Sequence, residues 1–384
     1  MTMERIPLAV PSVGPAEAAN LQACIETTFV SSVGPFVTQF EAVTATVTGS
    51  VGAVATSAGT TGLHVALVVL GVRPGDLVLC PSFTFIASAN AISHAGAVPW
   101  LFDIDANWVI DLDAVEQALK TETRVEHGVR LHIETGRRVA GLLPVLTLGN
   151  APDPARLDEL AEKFELPVLV DAACALGATA GERSLGSLGR LAVLSFNGNK
   201  IATAGGGGMV VGGDETLLQR VRHLSTTARV SADYSHDEVG FNYRMTNLQA
   251  AVGCAQMERL DDFLAAKHRI RETYHRELAD LPGVSAFPIT PGGNAWFSGV
   301  VLTDAARTTA TDAARQLADR GIEGRTFWKP VHLQAPYAGS PRQDMTRCEA
   351  LWTRILTLPC SSGLTTGDQT RVVAAVRDIL RAPR

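Results

Sequence analysis

A single lysine, Lys200, lies in the stretch SFNGNKIATAGGGGMVV, which is otherwise made of small, amide and apolar side chains. The chain has only five lysines, because arginine supplies most of its positive charge. A lysine acts as a nucleophile after it loses a proton, and partial burial away from carboxylates favours that loss. The four glycines leave room for a flat ligand to approach the backbone. This segment alone supports a nucleophilic lysine and an exposed loop lysine equally.

An aspartate, Asp171, ends the apolar segment LPVLVDAA. The carboxyl end of a parallel strand faces the crevice where open α/β sheets bind ligands. A buried carboxylate there needs a cation or a protonated ring nitrogen as its partner. The alternative is a helix N-cap before AACALG, and the segment alone slightly favours that reading.

The segment TSAGTTGLHVAL predicts a strand, a turn of small residues and a helix. Gly59 and Thr60 would present backbone N–H groups at the start of that helix, where the helix dipole favours a phosphate. Ser195, five residues before Lys200, could add a hydroxyl to the same phosphate. A capped helix without a ligand is the alternative, since the segment matches neither a P-loop nor GxGxxG.

Aromatic residues follow a predicted strand in PSFTFIASANA, where Phe85 is the candidate to lie flat on a ligand ring and Phe83 is expected in the core. The segment GRTFWKPVHLQAPY holds Arg325 and His332 among further aromatic side chains. It fits either a polar substrate site or a buried aromatic corner, and the residues alone do not decide between them.

Taken together, these groups match the requirements of pyridoxal phosphate. The lysine would form a Schiff base with the cofactor aldehyde, and the acid would keep the pyridine nitrogen protonated. The helix start would bind the phosphate, and the aromatic side chain would stack on the ring.

The elements that must position these residues follow a regular pattern. From about residue 51 to 211, short apolar segments alternate with helical ones, which predicts an α/β fold with a large, mostly parallel sheet covered on both faces. A polar hairpin is predicted within 121–139, with a turn at Thr135-Gly136. One long helix is predicted to start at a capping box formed by Thr246 and Gln249. We expect a large cofactor-binding domain over 1–250 and a smaller α+β domain over 251–384.

The composition excludes several classes of function. The net charge of -6 and the absence of a basic run argue against nucleic acid as a main partner. Six scattered cysteines without a CxxC pair argue against a metal site and fit a reducing cytoplasm. The start of the chain does not look like a signal peptide, and its apolar runs are too short to span a membrane.

Across nearly its whole length, the sequence resembles the DegT/DnrJ/EryC1/StrS sugar aminotransferases, a branch of the fold-type-I pyridoxal phosphate enzymes. Matching blocks occur in the right order. They are SAGTTGLH, PSFTFIASANA, VDAACALGA, SFNGNKIATAGGGGMVV, HDEVGFNYRMTNLQAA and FWKPVHLQAPY. SFNGNK and SHDEVGFNYR look most like members that aminate C4 of a 4-keto-6-deoxy nucleotide sugar, including legionaminic acid and bacillosamine pathway enzymes.

The resemblance implies roles for the residues already singled out. Lys200 matches the Schiff-base lysine, and Asp171 matches the acid at the pyridine nitrogen. The residues that match phosphate ligands and the stacking aromatic ring are Thr60, Ser195, the Gly59 backbone and Phe85.

Further roles implied by the resemblance concern the partner and the substrate. Asn242 matches a residue that reaches the phosphate of the neighbouring subunit, which implies a homodimer with shared active sites. Arg325 and His332 lie where family members approach the sugar nucleotide.

Three positions depart from the family pattern. Cys174, which we still expect at the cofactor, stands where the family usually has glutamine or glutamate, so a contact to the ring oxygen is in doubt. Leu146 and Asn150 replace two common histidines, which leaves the identity of the sugar open.

The function expected from this resemblance is transfer of an amino group, with glutamate as donor, to a nucleotide-linked keto sugar. Some members replace the lysine with histidine and act as dehydratases, so Lys200 favours transamination. The alternatives are a dehydratase or epimerase that uses the same cofactor, and a non-catalytic cofactor-binding regulator. A nicotinamide enzyme is excluded because no GxGxxG follows the first strand.

Overall fold

A computed structural model describes residues 5–381 of the protein. Its helices are α1 (Pro15–Glu26), α2 (Pro35–Thr48), α3 (Gly59–Val69), α4 (Ala87–His94), α5 (Leu112–Thr121), α6 (Pro154–Phe164), α7 (Glu215–Ser225), α8 (Asn247–Met257), α9 (Leu260–Leu278), α10 (Ala310–Ala318), α11 (Thr346–Trp352) and α12 (Thr366–Arg381). Its strands are β1 (Gly52–Thr56), β2 (Leu77–Pro81), β3 (Val98–Phe102), β4 (Thr123–Glu126), β5 (Val129–His132), β6 (Val139–Leu142), β7 (Leu169–Asp171), β8 (Thr179–Ala180), β9 (Arg183–Ser184), β10 (Leu191–Ser195), β11 (Gly208–Gly212), β12 (Val284–Ala286), β13 (Ser298–Leu302) and β14 (Ile355–Leu358).

The central sheet runs in the order β3-β2-β6-β7-β10-β11-β1. Parallel ladders join β3, β2 and β6, and another joins β7 to β10. Parallel bridges from Leu142 to Val168 and from Val145 to Asp171 link the two parts of the sheet. Strand β11 alone runs in the direction opposite to the other six strands. This mostly parallel sheet confirms the predicted fold class.

The strands are short and uniformly apolar because helices cover them. Val54, Val193 and Val210, which lie side by side in β1, β10 and β11, are buried. Helix α3 packs on these strands, and α2 and α7 pack on β1. Because β1, β7 and β10 run in the same direction, their carboxyl ends lie along one edge of the sheet, where side chains of different segments meet.

The predicted hairpin is present, but its turn lies elsewhere. Strands β4 and β5 are joined at His127 and Gly128, whose φ angles are 51° and 77°. Two successive positive φ angles match the twist of a tight hairpin. The predicted turn at Thr135-Gly136 makes a second reversal, in which the Gly136 N–H donates to the His132 carbonyl at 2.9 Å.

The long helix predicted after Thr246 is two helices, α8 and α9. The capping box is confirmed, because the Gln249 N–H donates to Thr246 Oγ1 at 3.2 Å and the Thr246 N–H donates to Gln249 Oε1 at 3.1 Å. The break comes at Glu258 and Arg259. There the Arg259 guanidinium donates to the Ser12 carbonyl at 2.6 Å and to Glu17 Oε1 at 2.7 Å.

The C-terminal part of the chain forms an antiparallel sheet, β12-β13-β14, with α9, α10 and α12 packed around it. The N-terminal segment joins this part, since the Ile6 N–H donates to the Gly321 carbonyl and the Cys360 N–H donates to the Leu8 carbonyl. The division at residue 250, which falls within α8, stays a prediction. No helix among residues 5–381 has the length and apolarity that a membrane crossing requires.

Candidate active site

A cavity of about 550 Å³ opens at the edge of the central sheet, beside the carboxyl ends of β1, β7 and β10. It brings together most of the residues singled out from the sequence. Those that line it are Gly59, Thr60, Phe85, Asp171, Cys174, Ser195, Lys200 and Arg325.

Asp171 is the last residue of β7, and its carboxylate is buried at the base of the cavity. Ser88 Oγ donates to Oδ2 at 2.7 Å, and the Ala173 N–H donates to Oδ1 at 3.0 Å. Burial raises the pKa of Asp171, while these hydrogen bonds and the charge of Lys200 oppose that rise. A turn follows Asp171 rather than a helix, so the N-cap alternative is wrong.

Lys200 lies in a turn after β10, with its amine facing a thiol and an indole ring. Its Nζ donates to Cys174 Sγ at 3.5 Å and lies 4.1 Å from the ring centroid of Trp296. No carboxylate oxygen of the described residues comes within 4.0 Å of this nitrogen. The amine is therefore free of ion pairing, as the sequence around it predicts.

The predicted phosphate cradle lies at the start of α3. Thr61 Oγ1 accepts from the Ala58 N–H at 3.0 Å and so caps the turn. The first N–H groups of a helix have no partner within the helix, so those of Gly59 and Thr60 suit an anion. A Cβ atom added at Gly59 would lie 3.1 Å from Ser195 Cβ. Glycine at this position keeps the space between the two segments open.

Aromatic side chains close the opposite side of the cavity. Phe85 is 56% exposed, and its ring centroid lies 6.3 Å from that of Trp328. Trp296, Phe297 and Phe327 line the same side. Sequence reasoning named none of these three, nor Trp328. Phe327 and Trp328 lie in GRTFWKPVHLQAPY, for which a substrate site and a buried aromatic corner were both open, whereas the only signal for Trp296 and Phe297 was their proximity in NAWFSG. Phe83 is fully buried, as expected for a core residue.

Two predicted residues lie outside the cavity lining. His332 is 4% exposed, with its Nδ1 2.7 Å from Ser82 Oγ and its Nε2 2.9 Å from Glu349 Oε1. It therefore braces the loop that follows β2. Asn242 is exposed, forms a bridge with Thr226 and is not among the residues that line the cavity. The substrate role of His332 and the partner-site role of Asn242 stay predictions.

The departures from the family pattern have visible surroundings. Burial raises the pKa of the Cys174 thiol to about 11, so it is a neutral group at physiological pH. Leu146 is buried in the core. Asn150 is also buried: its Nδ2 donates to the Asn107 carbonyl at 3.0 Å, and its Oδ1 accepts from the Thr290 N–H at 3.0 Å. Asn150 thus ties the sheet edge to the C-terminal part.

The residues present fit pyridoxal phosphate. No cation of residues 5–381 contacts the buried Asp171 carboxylate directly, and a protonated ring nitrogen would supply one. The Oδ1 atom of Asn199, a residue of the cavity lining, is buried without a hydrogen-bond partner among the described residues. The cradle at Gly59 offers donors for the phosphate, and Lys200 offers the amine.

Known proteins resemble this chain over nearly its whole length. The model of the DegT/DnrJ/EryC1/StrS aminotransferase family matches residues 11–377. The chain is 38% identical to a GDP-perosamine synthase of Caulobacter vibrioides, over 98% of this chain and 99% of that protein. It is 34% identical to EpsN of Bacillus subtilis, which is named for a pyridoxal phosphate-dependent aminotransferase, over 96% and 94%.

Solved structures give the same result. S. venezuelae DesV superposes with a TM-score of 0.87 at 30% identity, with both chains fully covered. DesI, solved in the presence of its TDP-sugar product, gives a TM-score of 0.86 at 26% identity, covering 98% of this chain and 94% of that one. The predicted family and the predicted cofactor, pyridoxal phosphate, are both confirmed. The chain belongs to the DegT/DnrJ/EryC1/StrS aminotransferase family.

Proposed function

We propose that the chain transfers an amino group from glutamate to C4 of a 4-keto-6-deoxy nucleotide sugar. The observation that carries this proposal is the placement of Lys200 and Asp171 in one cavity, with a phosphate cradle at Gly59 and Thr60. The names of the relatives, GDP-perosamine synthase and a DesI structure with its TDP-sugar product, support a nucleotide-linked sugar as acceptor.

The cavity residues divide the work of such a reaction. When bound, pyridoxal phosphate supplies an aldehyde for covalent attachment and a ring that accepts electrons. Asp171 holds the ring nitrogen, and Gly59, Thr60 and Ser195 hold the phosphate. Lys200 is the one lysine of the described residues that lines the cavity. Its amine takes a proton from the α-carbon of the donor and later delivers one to the carbon that gains the amino group.

The nucleotide end of the acceptor needs cationic and aromatic contacts. Arg325 and Trp328 lie on the C-terminal side of the cavity and supply them. A guanidinium pairs well with a diphosphate, and an indole stacks on a base. The aromatic side chains also keep water away from the reacting atoms.

The first test uses the purified protein and its Lys200→Ala variant. The wild type should absorb near the visible edge and lose that band with borohydride, which leaves the cofactor covalently attached to Lys200, whereas the variant should hold no covalently attached cofactor after this treatment. A panel of 4-keto nucleotide sugars, assayed for amine formation and for water loss, then identifies the acceptor and the reaction. Wild-type turnover by the variant would refute the role of Lys200, and water loss without amine formation would refute transamination.

We also propose a cytoplasmic homodimer in which Asn242 completes the site of the partner. Exposed apolar side chains near Asn242 support it, among them Val230, Tyr234 and Val239, with exposed fractions of 56%, 73% and 88%. Val230 lines a cleft of about 930 Å³ that Thr226, the bridge partner of Asn242, also lines. The cysteines are buried and free, as in proteins of a reducing compartment.

Subunit mixing tests the shared site. Lys200→Ala and Asn242→Ala proteins, each inactive alone, are unfolded together and refolded. Random pairing in a symmetric dimer restores about a quarter of the wild-type sites, because half of the dimers are hybrids with one intact site each. No recovery of activity in refolded hybrids would show that the two residues act in the same subunit.

A further inference from the structure

The amine of Lys200 rests on the ring of Trp296. The distance from Nζ to the ring centroid is 4.1 Å, and the thiol of Cys174 lies 3.5 Å from the same nitrogen. The face of an indole ring attracts an ammonium group, and it does so more strongly in a partly desolvated site. Trp296 is 2% exposed and comes from the segment just before β13, in the C-terminal part of the chain.

Hydrogen bonds fix the ring of Trp296 in this place. Its Nε1 donates to the carbonyl of Asn199, the residue before Lys200, at 2.7 Å. Its backbone N–H donates to Asn294 Oδ1 at 3.1 Å. The same Asn294 side chain donates to the carbonyls of Cys174 at 3.0 Å and Leu176 at 2.9 Å. The buried side-chain amide of Asn294 therefore links the backbone of Trp296 to the backbone of Cys174.

A second lysine holds the carbonyl of Trp296. Lys267, on α9, is 3% exposed, and its Nζ donates to the carbonyls of Trp296 at 3.0 Å and Cys360 at 2.5 Å. No carboxylate oxygen of residues 5–381 lies within 4.0 Å of this amine. A buried amine without a carboxylate is costly unless its hydrogen bonds are made, so these two carbonyls are strongly held.

We propose that Trp296 is a positioning residue for Lys200. Its ring holds the amine whenever the amine is not bound to the cofactor, and Asn294 and Lys267 hold the ring. This inference rests on the proposed role of Lys200 in proton transfer. A free lysine side chain has several rotatable bonds. Holding its amine on the Trp296 ring, beside the reacting atoms, reduces the conformational entropy that is lost when the amine reaches the geometry of proton transfer.

The kinetic test compares Trp296→Leu with Trp296→Phe in the half-reaction with glutamate. The leucine variant loses the ring face, and we expect its maximal rate to fall about tenfold, with the KM for glutamate changed less than twofold. The phenylalanine variant keeps a ring face and should retain most of the rate. Replacing the α-hydrogen of glutamate by deuterium should slow the leucine variant more than the wild type, because proton transfer then limits the rate.

Two kinetic outcomes would overturn the inference. One is a wild-type rate in the leucine variant. The other is an equal loss in both variants, which would assign the effect to the volume of the indole or to its hydrogen bond with Asn199. Thermal unfolding of each variant shows whether it is folded, and the phenylalanine variant keeps the test usable if the leucine variant is not.

A labelling test needs neither sugar nor cofactor. The full-length protein, freed of cofactor, is treated with trinitrobenzenesulfonate, and labelling of Lys200 is measured by peptide mass spectrometry relative to the exposed Lys163. We expect the ratio to rise several-fold in Trp296→Leu. It should stay within about twofold of the wild type in Trp328→Leu, which enlarges the same cavity by the same side-chain change.

The labelling result separates the two hypotheses. An unchanged labelling ratio in Trp296→Leu, or an equal rise of the ratio in Trp328→Leu, would overturn the proposal that Trp296 positions the Lys200 amine. If no keto sugar is aminated but the labelling ratio of Trp296→Leu rises as expected, the positioning role of Trp296 is supported and the proposed acceptor is wrong.

Discussion

The two sides of the cavity differ in how the chain builds them. The sheet wall consists of Gly59, Asp171 and Ser195, which begin a helix or end a strand, so backbone ladders fix their positions. The loop wall consists of Trp296, Arg325 and Trp328. Side-chain hydrogen bonds hold the Trp296 N–H and the Arg325 carbonyl, and the Trp328 ring packs against that of Phe327. The sheet wall offers the groups that bind a cofactor, whereas the loop wall faces the amine of Lys200 and the space left for substrate.

The largest effect should come from the sheet wall, in Asp171→Asn. An amide cannot balance the charge of a protonated ring nitrogen, so turnover should fall on the order of a thousandfold. Steady-state assays of the purified variant measure this loss. A loss below tenfold would mean that Asp171 does not serve the cofactor ring, and the division between the walls would fail.

A second change on the sheet wall, Gly59→Val, should act on cofactor affinity. The added side chain would crowd Ser195 and fill the phosphate cradle, weakening cofactor binding about a hundredfold. Fluorescence titration of the cofactor-free protein measures the Kd. Gly363→Val is the control, because a Cβ atom there meets no atom of the described residues within 4 Å.

On the loop wall, Arg325→Ala should spare the cofactor. We expect the KM for the nucleotide sugar to rise about tenfold, with the glutamate half-reaction nearly unchanged, because the guanidinium would pair with the diphosphate. Lys329→Ala is a matched loss of charge, since Lys329 is exposed in the same loop but does not line the cavity. An equal effect in both variants would indicate general electrostatic attraction instead of a contact at Arg325.

The smallest effect concerns the stability of the cofactor-free protein. Burial raises the pKa of Asp171 in the folded protein. The side chain therefore contributes fully to the free energy of unfolding below the ordinary pKa of an aspartate, where it is protonated in both states. This contribution is lost as the pH rises through the pKa of the folded state. Asp171→Asn removes this loss, and the cofactor-free variant should unfold a few degrees above the wild type at pH 8. The difference should shrink towards pH 4. Calorimetry across this range checks the sign, and a lower Tm for the variant at pH 8 would contradict it.

The same contrast explains what could be predicted from the sequence. Asp171 and Ser195 end apolar segments, and Gly59 starts a helix after a strand, so local pattern alone places them at one edge. Trp296 next to an apolar segment reads as a core residue, and only the folded chain puts its ring beside Lys200. The family resemblance implied a substrate contact for His332, and that role stays a prediction. In the structure its two ring nitrogens lie within hydrogen-bond distance of Ser82 Oγ and Glu349 Oε1, contacts that the sequence does not indicate.

Secondary structure was misjudged where distant contacts decide. No glycine or proline marks the break between α8 and α9 at Glu258 and Arg259. What accompanies the break is a pair of distant contacts, in which the Arg259 side chain donates to the Ser12 carbonyl and to Glu17. The hairpin was predicted to turn at Thr135-Gly136, whereas its tight turn lies at His127-Gly128, which the sequence analysis did not single out.

The pairing of the first described residues with the C-terminal part has a consequence for synthesis. The Leu8 N–H donates to Glu323 Oε2 at 3.0 Å, across 315 positions of the chain. The segment around Leu8 can therefore make this contact only after the ribosome has released Glu323, and long loops of this kind close late. Arg325 follows Glu323 by two residues. We therefore expect the side of the cavity that carries Arg325 to form last in folding.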